Sequence, residues 1–465
     1  MSTSLTFEQP PRADNLARRF VIGGAWNLLG NAAPQAINLA AQIVISRMLG
    51  KAVFGQIGVV YGTLITFGTF AGLGLGLTAT KHVAEFHIAD SPRAGRIILL
   101  TSLITWTVAG LVTVGVALSA PWVARVILQE PSLVWPLRVG APLILLTALG
   151  TLQLGVLSGF EAFRSVAALN IAKGVCSLPL LVLGARFYGV SGVMGAYVAL
   201  AAIIWAVSRW MIRQKAKDFR ATTAYLGLSA EFPLLWKFSV PAFLYSLLWP
   251  LSVWFTNLFV IRLPLGYEKV GELNAIRQLQ AIVNVIPVAL NGAVMPILTS
   301  VLSNTPLDRD RSLRFTNNLS FVAVLPVTLV LMIGAPWIMK IYGHGYTNGW
   351  PILILMIGAT GVNLLSSAPA TLMLAKGAMF ASLVNSILTS AFIVSVLALT
   401  IFRWELYSVG GGTLVCYLLS TTGIVIYAVK CLEFPAAVGR VIVSSSVVLT
   451  GITVAMPWFV GLLLR

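Results

Sequence analysis

An uncharged run of 27 residues, from Phe20 to Ser46, reads FVIGGAWNLLGNAAPQAINLAAQIVIS. It is longer than the roughly 20 apolar residues that cross a bilayer as a helix, so it predicts a transmembrane helix. Five amides recur in it at steps of three or four residues, which places them within roughly 80° of one another around the helix axis. These amides are Asn27, Asn31, Gln35, Asn38 and Gln42. The sequence therefore predicts an apolar helix with one narrow polar stripe.

Two interpretations of this stripe are open. Lipid cannot form hydrogen bonds with an amide, so the stripe must face protein or a water-filled cavity. Amides that bridge neighbouring helices contribute about 0.6 to 2 kcal/mol each, and one or two of them are enough for that purpose. Because an amide recurs at every turn, the pattern favours the wall of a polar passage.

Composition places the whole chain in a membrane. Hydrophobic residues make up 58% and charged residues 10%, with a mean hydropathy of +0.91, whereas soluble domains carry about 25% charge. The formal charge is +17, but the basic residues are spread through short loops, where they set topology and do not indicate nucleic acid binding. The predicted fold class is all-α, a polytopic helical membrane protein with 12 to 14 transmembrane helices.

Apolar runs and their breaks predict thirteen spans. With a cytoplasmic N-terminus, 19 of the 31 Lys and Arg residues lie on the cytoplasmic side and 10 on the other, which supports that orientation. The predicted domains are a cytoplasmic tail at 1–19, an N-lobe of six helices at 20–212, a basic cytoplasmic linker at 213–235, a C-lobe of six helices at 236–432, and an additional transmembrane or re-entrant segment at 433–465.

An internal repeat supports the two lobes. A shift of 216 positions gives six identities between 34–55 and 250–271, including Gly50 with Gly266 and Gly55 with Gly271. Because the shift equals six spans, it restores the same orientation, as in transporters built from parallel repeats.

Further polar residues lie inside predicted spans. On the eighth span, four of them share a sector of about 60°: Arg277, Gln280, Asn284 and Asn291. On the fifth span, Asn170, Lys173 and Ser177 share one face. A charge within a membrane costs at least about 2.5 to 3.5 kcal/mol, which makes Lys173 and Arg277 candidate binding groups, with snorkelling to a span end as the alternative.

The carboxylates indicate the class of substrate. All 14 Asp and Glu residues lie in tails, loops or span ends. A carrier of organic cations is expected to place a counter-charge in its cavity, so amides with Lys and Arg favour an anionic, hydroxyl-rich substrate. The chain contains no G-x-x-x-x-G-K-[ST] loop, and its cysteines and histidines have no metal-ligand spacing, so we predict neither a cofactor nor a metal.

A family resemblance is carried by the turn and helix that follow the first span. The core L-G-x-x-x-F-G (Leu49, Gly50, Phe54, Gly55), the repeat GLGLG at 72–76 and the segment TATKHVAE at 78–85 resemble the start of Wzx-type polysaccharide-unit flippases. These proteins belong to the multidrug/oligosaccharidyl-lipid/polysaccharide exporter superfamily. Lys81 matches the basic position that closes their second span.

The resemblance implies two six-helix bundles around a cavity that opens alternately to either side of the bacterial inner membrane. The implied substrate is a polyprenyl pyrophosphate-linked oligosaccharide, with membrane lipids and polysaccharide polymerase or export proteins as partners. Lys81, Lys173 and Arg277 would attract the pyrophosphate. A peptidoglycan-precursor flippase and a drug or toxin exporter of the same superfamily are alternatives. A glycan polymerase, which is an enzyme, is expected to have a larger external loop than this sequence contains.

Overall fold

Helices form almost the entire described chain. The computed structural model describes residues 34–87, 90–218, 228–301, 306–375, 378–432 and 434–463, and these ranges contain no β-strand. The predicted all-α fold is therefore confirmed. The helices in chain order are α1 (34–49), α2 (Lys51–Ala71), α3 (Leu75–Phe86), α4 (Ser91–Trp122), α5 (Val134–Gly140), α6 (Pro142–Gly159), α7 (Phe163–Asp218), α8 (Leu228–Val260), α9 (Gly266–Val301), α10 (Pro306–Tyr342), α11 (Trp350–Leu365), α12 (Ser367–Ala375), α13 (Met379–Trp404), α14 (Leu406–Cys431) and α15 (Ala436–Leu463).

Ten stretches of the described residues are long and apolar enough to cross a membrane. One of them, Phe163–Lys215, contains two predicted spans, since non-helical angles at Tyr188 and Gly189 divide α7 into two limbs. The limbs fold back on each other closely: a methyl group built on Gly184 would lie 2.4 Å from the carbonyl oxygen of Gly192. The polytopic architecture predicted from the apolar runs is thus present.

Other predicted spans differ in detail. Residues 20–33 of the first span lie outside the described residues, and the remainder forms α1. The predicted span 54–78 is broken between α2 and α3, where Leu73 and Gly74 have positive φ angles of 47° and 67°. The last stretch is predicted to be either transmembrane or re-entrant. It forms the continuous helix α15 of 28 residues and is among the ten candidate spans.

Glycines on α3 and α6 let the second part of this broken span pack directly on α6. A methyl group built on Gly76 would lie 2.9 Å from the Thr151 carbonyl oxygen, and one built on Gly155 would lie 2.1 Å from that of Gly76. Such contacts have no room for a side chain, so the backbones of α3 and α6 touch.

The repeat appears in the structure as a reciprocal contact between α2 and α9. A methyl group on Gly55 would lie 1.8 Å from the carbonyl oxygen of Tyr267, and one on Gly271 would lie 2.2 Å from that of Lys51. Gly271 and Tyr267 are the positions that the 216-residue shift pairs with Gly55 and Lys51. Each repeat therefore makes the same contact with the other, as a two-fold relation between lobes requires. We use N-lobe for α1 to α7 and C-lobe for α8 onwards.

Because successive spans alternate in direction, their connections lie at two ends of the bundle. The first, called here the Gly50 end, carries Gly50 and the turns before α9 and α11. The second, called the Glu231 end, carries the start of α4 and of α8.

Gly55→Ala and Gly271→Ala are expected to lower the free energy of unfolding by about 1 to 3 kcal/mol each, because the added methyl group meets backbone that cannot move aside. Thermal unfolding of the detergent-solubilised protein measures this change. Gly110→Ala and Gly115→Ala are the matched controls, since both sites lie in α4 with nothing within 4 Å of the new methyl group. Equal stability of all four variants would contradict a close crossing of α2 and α9.

Candidate functional site

A cavity of about 420 Å³ lies within the N-lobe, between α1, α2, α6 and both limbs of α7. Five residues predicted as substrate-binding line it: Gln35, Asn38, Gln42, Asn170 and Lys173. The stripe of α1 and the polar face of α7 thus meet at one space, which we call the N-lobe cavity. Ser177, the third residue of the α7 face, also lines it. That these residues bind a substrate stays a prediction.

Close helix packing brings the two polar faces together. A methyl group on Gly174 would lie 2.7 Å from the Cα atom of Pro34, so α1 and the first limb of α7 touch beside the cavity. Pro34 begins the described part of α1, and Gln35 and Asn38 follow within its next turn. Lys173 precedes the contact glycine directly, which places its side chain on the cavity wall.

One amide of the stripe is engaged in a protein contact. Gln42 is buried, and its Nε2 atom donates to the Tyr197 hydroxyl at 2.7 Å. The Tyr197 ring packs on Tyr61, with ring centroids 4.4 Å apart. Gln42 therefore bridges α1 and α7, as the bridging interpretation expects, while its neighbours Gln35 and Asn38 make no side-chain hydrogen bond within the described residues.

Lys173 is the charged group of the cavity lining. Among the described residues it has neither an ion pair nor a hydrogen bond, and no carboxylate lines the cavity with it. An ammonium without a counter-charge is costly in a membrane, so the cavity is electrostatically suited to an anion.

Sequence reasoning missed several lining residues. Tyr61 and Tyr197 read as ordinary apolar residues of spans, and only the fold shows that their rings face the cavity. Gln278 on α9 is the contribution of the C-lobe to the described lining. A polar residue inside a predicted span indicates a candidate lining residue, and Gln278 meets that criterion. However, Gln278 lies about 100° around the helix from Arg277 and so falls outside the predicted sector.

Two of the predicted residues of α9, Arg277 and Gln280, lie outside the described lining of the N-lobe cavity. Arg277 Nη1 donates to Asn257 Oδ1 at 2.7 Å, which joins α9 to α8. Gln280 is buried and its Nε2 atom donates to Thr360 Oγ1 at 2.6 Å, so it bridges α9 and α11. Both side chains therefore already have protein partners.

The other predicted residues lie elsewhere. Asn284 and Asn291 are on α9, but their side chains lie outside the described part of the chain, as do Asn27 and Asn31 altogether. Lys81 is exposed on α3 outside the cavity lining, with its Nζ atom 4.5 Å from the centre of the Phe238 ring.

Among the described residues, charged side chains pair across the lobes in one contact set at each end of the bundle. At the Gly50 end, Lys51 pairs with the buried Glu272, and Ser46 Oγ donates to the Tyr346 hydroxyl at 2.6 Å. At the Glu231 end, Arg93 Nε lies 3.1 Å from the buried Glu231 carboxylate, with Arg96 at 3.4 Å. The N-lobe cavity lies between the two sets.

Comparison with known proteins agrees with this architecture. Residues 20–302 match the family model described as polysaccharide biosynthesis protein. The chain belongs to this family. It is also 25% identical over 406 residues to a Shigella flexneri protein assigned as an O-antigen transporter, covering 84% of this chain and 92% of that protein.

Solved structures show the same fold. An inward-facing multidrug resistance MATE family transporter of the MOP superfamily superimposes with a TM-score of 0.72 at 14% identity, covering 90% of this chain and 98% of its own. The lipid II flippase MurJ, in an inward closed conformation, gives a TM-score of 0.69 at 12% identity, covering 94% and 96%. The chain is therefore a multi-pass membrane protein with the fold of these transporters, as the resemblance implied.

Cysteines placed at Asn38 and Asn170 are expected to react with a small polar thiol reagent, because both positions face the N-lobe cavity. Cysteines at Ile171 and Val175 are the controls: their side chains are exposed but lie outside the described cavity lining, and on a transmembrane helix such apolar surface is expected to face lipid. The native Cys176, Cys416 and Cys431 are first replaced by Ala. Labelling rates measured by mass spectrometry that are equal at all four sites would show that no aqueous cavity exists there.

Proposed function

We propose that this protein is a flippase that moves a polyprenyl pyrophosphate-linked oligosaccharide from the cytoplasmic to the outer face of the bacterial inner membrane. The observation that carries the proposal is the cavity position of Lys173: neither it nor the amides of Gln35, Asn38 and Asn170 have a partner among the described residues, and no described carboxylate lines the cavity. Membership of a polysaccharide biosynthesis family supports the same substrate class.

The cavity chemistry matches the two polar parts of such a substrate. A pyrophosphate diester offers charged oxygens that accept hydrogen bonds from an ammonium or a guanidinium. Sugar hydroxyls both donate and accept, as do the amides of Gln35, Asn38 and Asn170. An exporter of organic cations has the opposite electrostatic requirement, which makes that alternative the weaker one.

The two contact sets between the lobes support alternating access. Opening toward either side requires separation of the lobes at that end while the contacts at the other end hold. Lys51 with Glu272 closes the Gly50 end, and Arg93 with Glu231 closes the other. With a cytoplasmic N-terminus, the Gly50 end faces outward.

A peptidoglycan-precursor flippase is a second candidate, favoured by the structural likeness to MurJ. Both substrates combine a polyprenyl pyrophosphate with sugars, so the cavity chemistry serves either. Depletion of the protein separates them: accumulation of a surface-polysaccharide intermediate on the cytoplasmic face is expected, whereas accumulation of the peptidoglycan precursor would replace the proposed substrate.

Lys173→Ala is expected to lower the flipping rate about 10- to 100-fold, which corresponds to loss of one hydrogen bond to a charged group, about 1.5 to 3 kcal/mol. Arg277→Ala is expected to lower it as well, because the variant loses the hydrogen bond that joins α9 to α8. Lys173→Glu is expected to be worse than Lys173→Ala, because a carboxylate repels the pyrophosphate. Flipping of a fluorescent lipid-linked oligosaccharide in proteoliposomes is the measurement, with folded yield checked for each variant.

Arg262→Ala is the control for removal of a positive charge, since Arg262 is exposed in the turn before α9. Its flipping rate is expected to equal that of the unchanged protein. Full activity of the Lys173→Glu variant would refute an anion-binding role for this site.

Flipping is also expected to respond to membrane potential. A pyrophosphate diester carries about two negative charges, and each exchanges about 2.3 kcal/mol with a potential of 100 mV, so outward movement gains up to about 5 kcal/mol. Collapse of the potential with a potassium ionophore at constant pH is expected to slow flipping in sealed vesicles. An unchanged rate, with loss only on collapse of a proton or sodium gradient, would indicate chemically coupled antiport instead.

A further inference from the structure

We propose that the N-lobe cavity is a subsite for a single phosphosugar: the sugar ring that carries the pyrophosphate, bound with the phosphate attached to it. This inference rests on the proposed function and assigns one part of the substrate to one part of the protein. It follows from the size of the cavity, its aromatic wall and the hydrogen-bonding capacity of its free side chains.

The cavity is too small for the whole substrate. Its volume of about 420 Å³ lies near the lower end of the range for small-molecule sites, about 300 to 1,000 Å³. A sugar ring with one phosphate fits this space, whereas several sugars joined to a polyprenyl chain do not. The described N-lobe cavity therefore matches one segment of the substrate in size.

An aromatic wall gives one side of the cavity an apolar surface. Tyr61 and Tyr197 both line it, and their rings pack at 4.4 Å and 34° to each other. Gln42 fixes Tyr197 through its hydroxyl, so the wall is held in place before a ligand arrives. The C–H groups on one face of a pyranose ring are apolar and pack on aromatic rings, whereas an isolated pyrophosphate offers no such surface.

The free polar groups are mixed donors and acceptors. Each amide of Gln35, Asn38 and Asn170 offers two N–H donors and a carbonyl acceptor. Phosphate oxygens only accept, so the amide carbonyls are unfavourable neighbours for a bare pyrophosphate and favourable ones for hydroxyl groups. Lys173 is the single described cation of the lining and matches one phosphate.

The lining thus contains one type of side chain for each of the three parts of a phosphosugar: the apolar ring face, the hydroxyl groups and the phosphate. Tyr61 and Tyr197 suit the apolar ring face, the amides of α1 suit ring hydroxyls, and Lys173 on α7 suits the phosphate. A lipid headgroup or a free phosphate shares only the charged part of this chemistry, which allows an experiment to separate them.

The test uses protection of a cysteine at Thr151, a lining residue to which no contact with the phosphosugar is assigned, in the whole protein in detergent, with Cys176, Cys416 and Cys431 replaced by Ala. The probes are hexose 1-phosphates, N-acetylhexosamine 1-phosphates, the corresponding free sugars and inorganic pyrophosphate. At least one sugar 1-phosphate is expected to slow labelling. The concentration that it needs for half-maximal protection is expected to be about tenfold lower than the concentration needed of its free sugar or of pyrophosphate, because it makes one more favourable contact than either.

Two variants identify the groups responsible. Tyr197→Leu is expected to abolish the preference for sugar 1-phosphate over pyrophosphate, whereas Tyr197→Phe keeps the ring and is expected to retain it. Lys173→Gln is expected to make a sugar 1-phosphate no better than its free sugar. The thermal stability of each variant is measured alongside, and Tyr197→Phe serves as the matched control for packing.

Equal protection by pyrophosphate and by every sugar 1-phosphate would overturn the proposal and leave a plain anion site. Protection by none of the probes would overturn it as well. A Tyr197→Leu variant that flips the lipid-linked oligosaccharide at the normal rate would overturn the subsite while the flippase function stands. Absence of flipping by the unchanged protein would remove the proposed function itself, whatever the protection data show.

Discussion

The direct backbone contact between Gly55 and Gly271 is the constraint on which the arrangement of the two lobes depends. No side chain fits between α2 and α9 at this crossing. Gly55 of the first repeat and Gly271 of the second occupy equivalent positions there, and each packs against the backbone of the other helix. The contact also brings Lys51 of one repeat beside Glu272 of the other, near the Gly50 end. Because this crossing lies within about one turn of the Lys51–Glu272 pair, opening of the Gly50 end under the proposed alternating access would have to separate the backbone contact together with the ion pair.

Around this crossing, the bilayer determines what each polar side chain can do. A buried amide within a span must find a partner, and Gln280 and Gln42 each find one in a neighbouring helix. Gln35, Asn38 and Lys173 have no protein partner among the described residues, and all three line the N-lobe cavity. The difference between these two groups separates helix bridging from cavity lining, which the spacing of the amides alone could not do.

Much of the fold was predictable because membrane spans are defined by simple chemistry. Charge-free runs located the helices, and the tight turn in α7 at Gly189 followed from the break between its two apolar segments. The polar face of α7 that contains Lys173 was predictable for the same reason, since a charged residue within an apolar span is easily identified in the sequence. Tyr61 and Tyr197 were not, because a tyrosine in a span is compatible with lipid, protein and cavity alike. Gln278 was missed because its relevance depends on how α9 sits against the N-lobe, which helical spacing does not specify.

Helix α9 joins the lining of the N-lobe cavity to the crossing between the lobes. Gln278 reaches the cavity lining, Arg277 beside it binds Asn257 of α8, and Gly271 lies at the crossing with α2. Gln278 follows Gly271 by seven positions, a rise of about 10 Å along a helix, so the crossing and the cavity contact lie on one helix. Under the proposed function, a group bound in the N-lobe cavity that contacts Gln278 would therefore act on the C-lobe close to this crossing. Such a group shifts the equilibrium between lobe positions only if it contacts Gln278 differently in each position, since equal contacts would stabilise both alike.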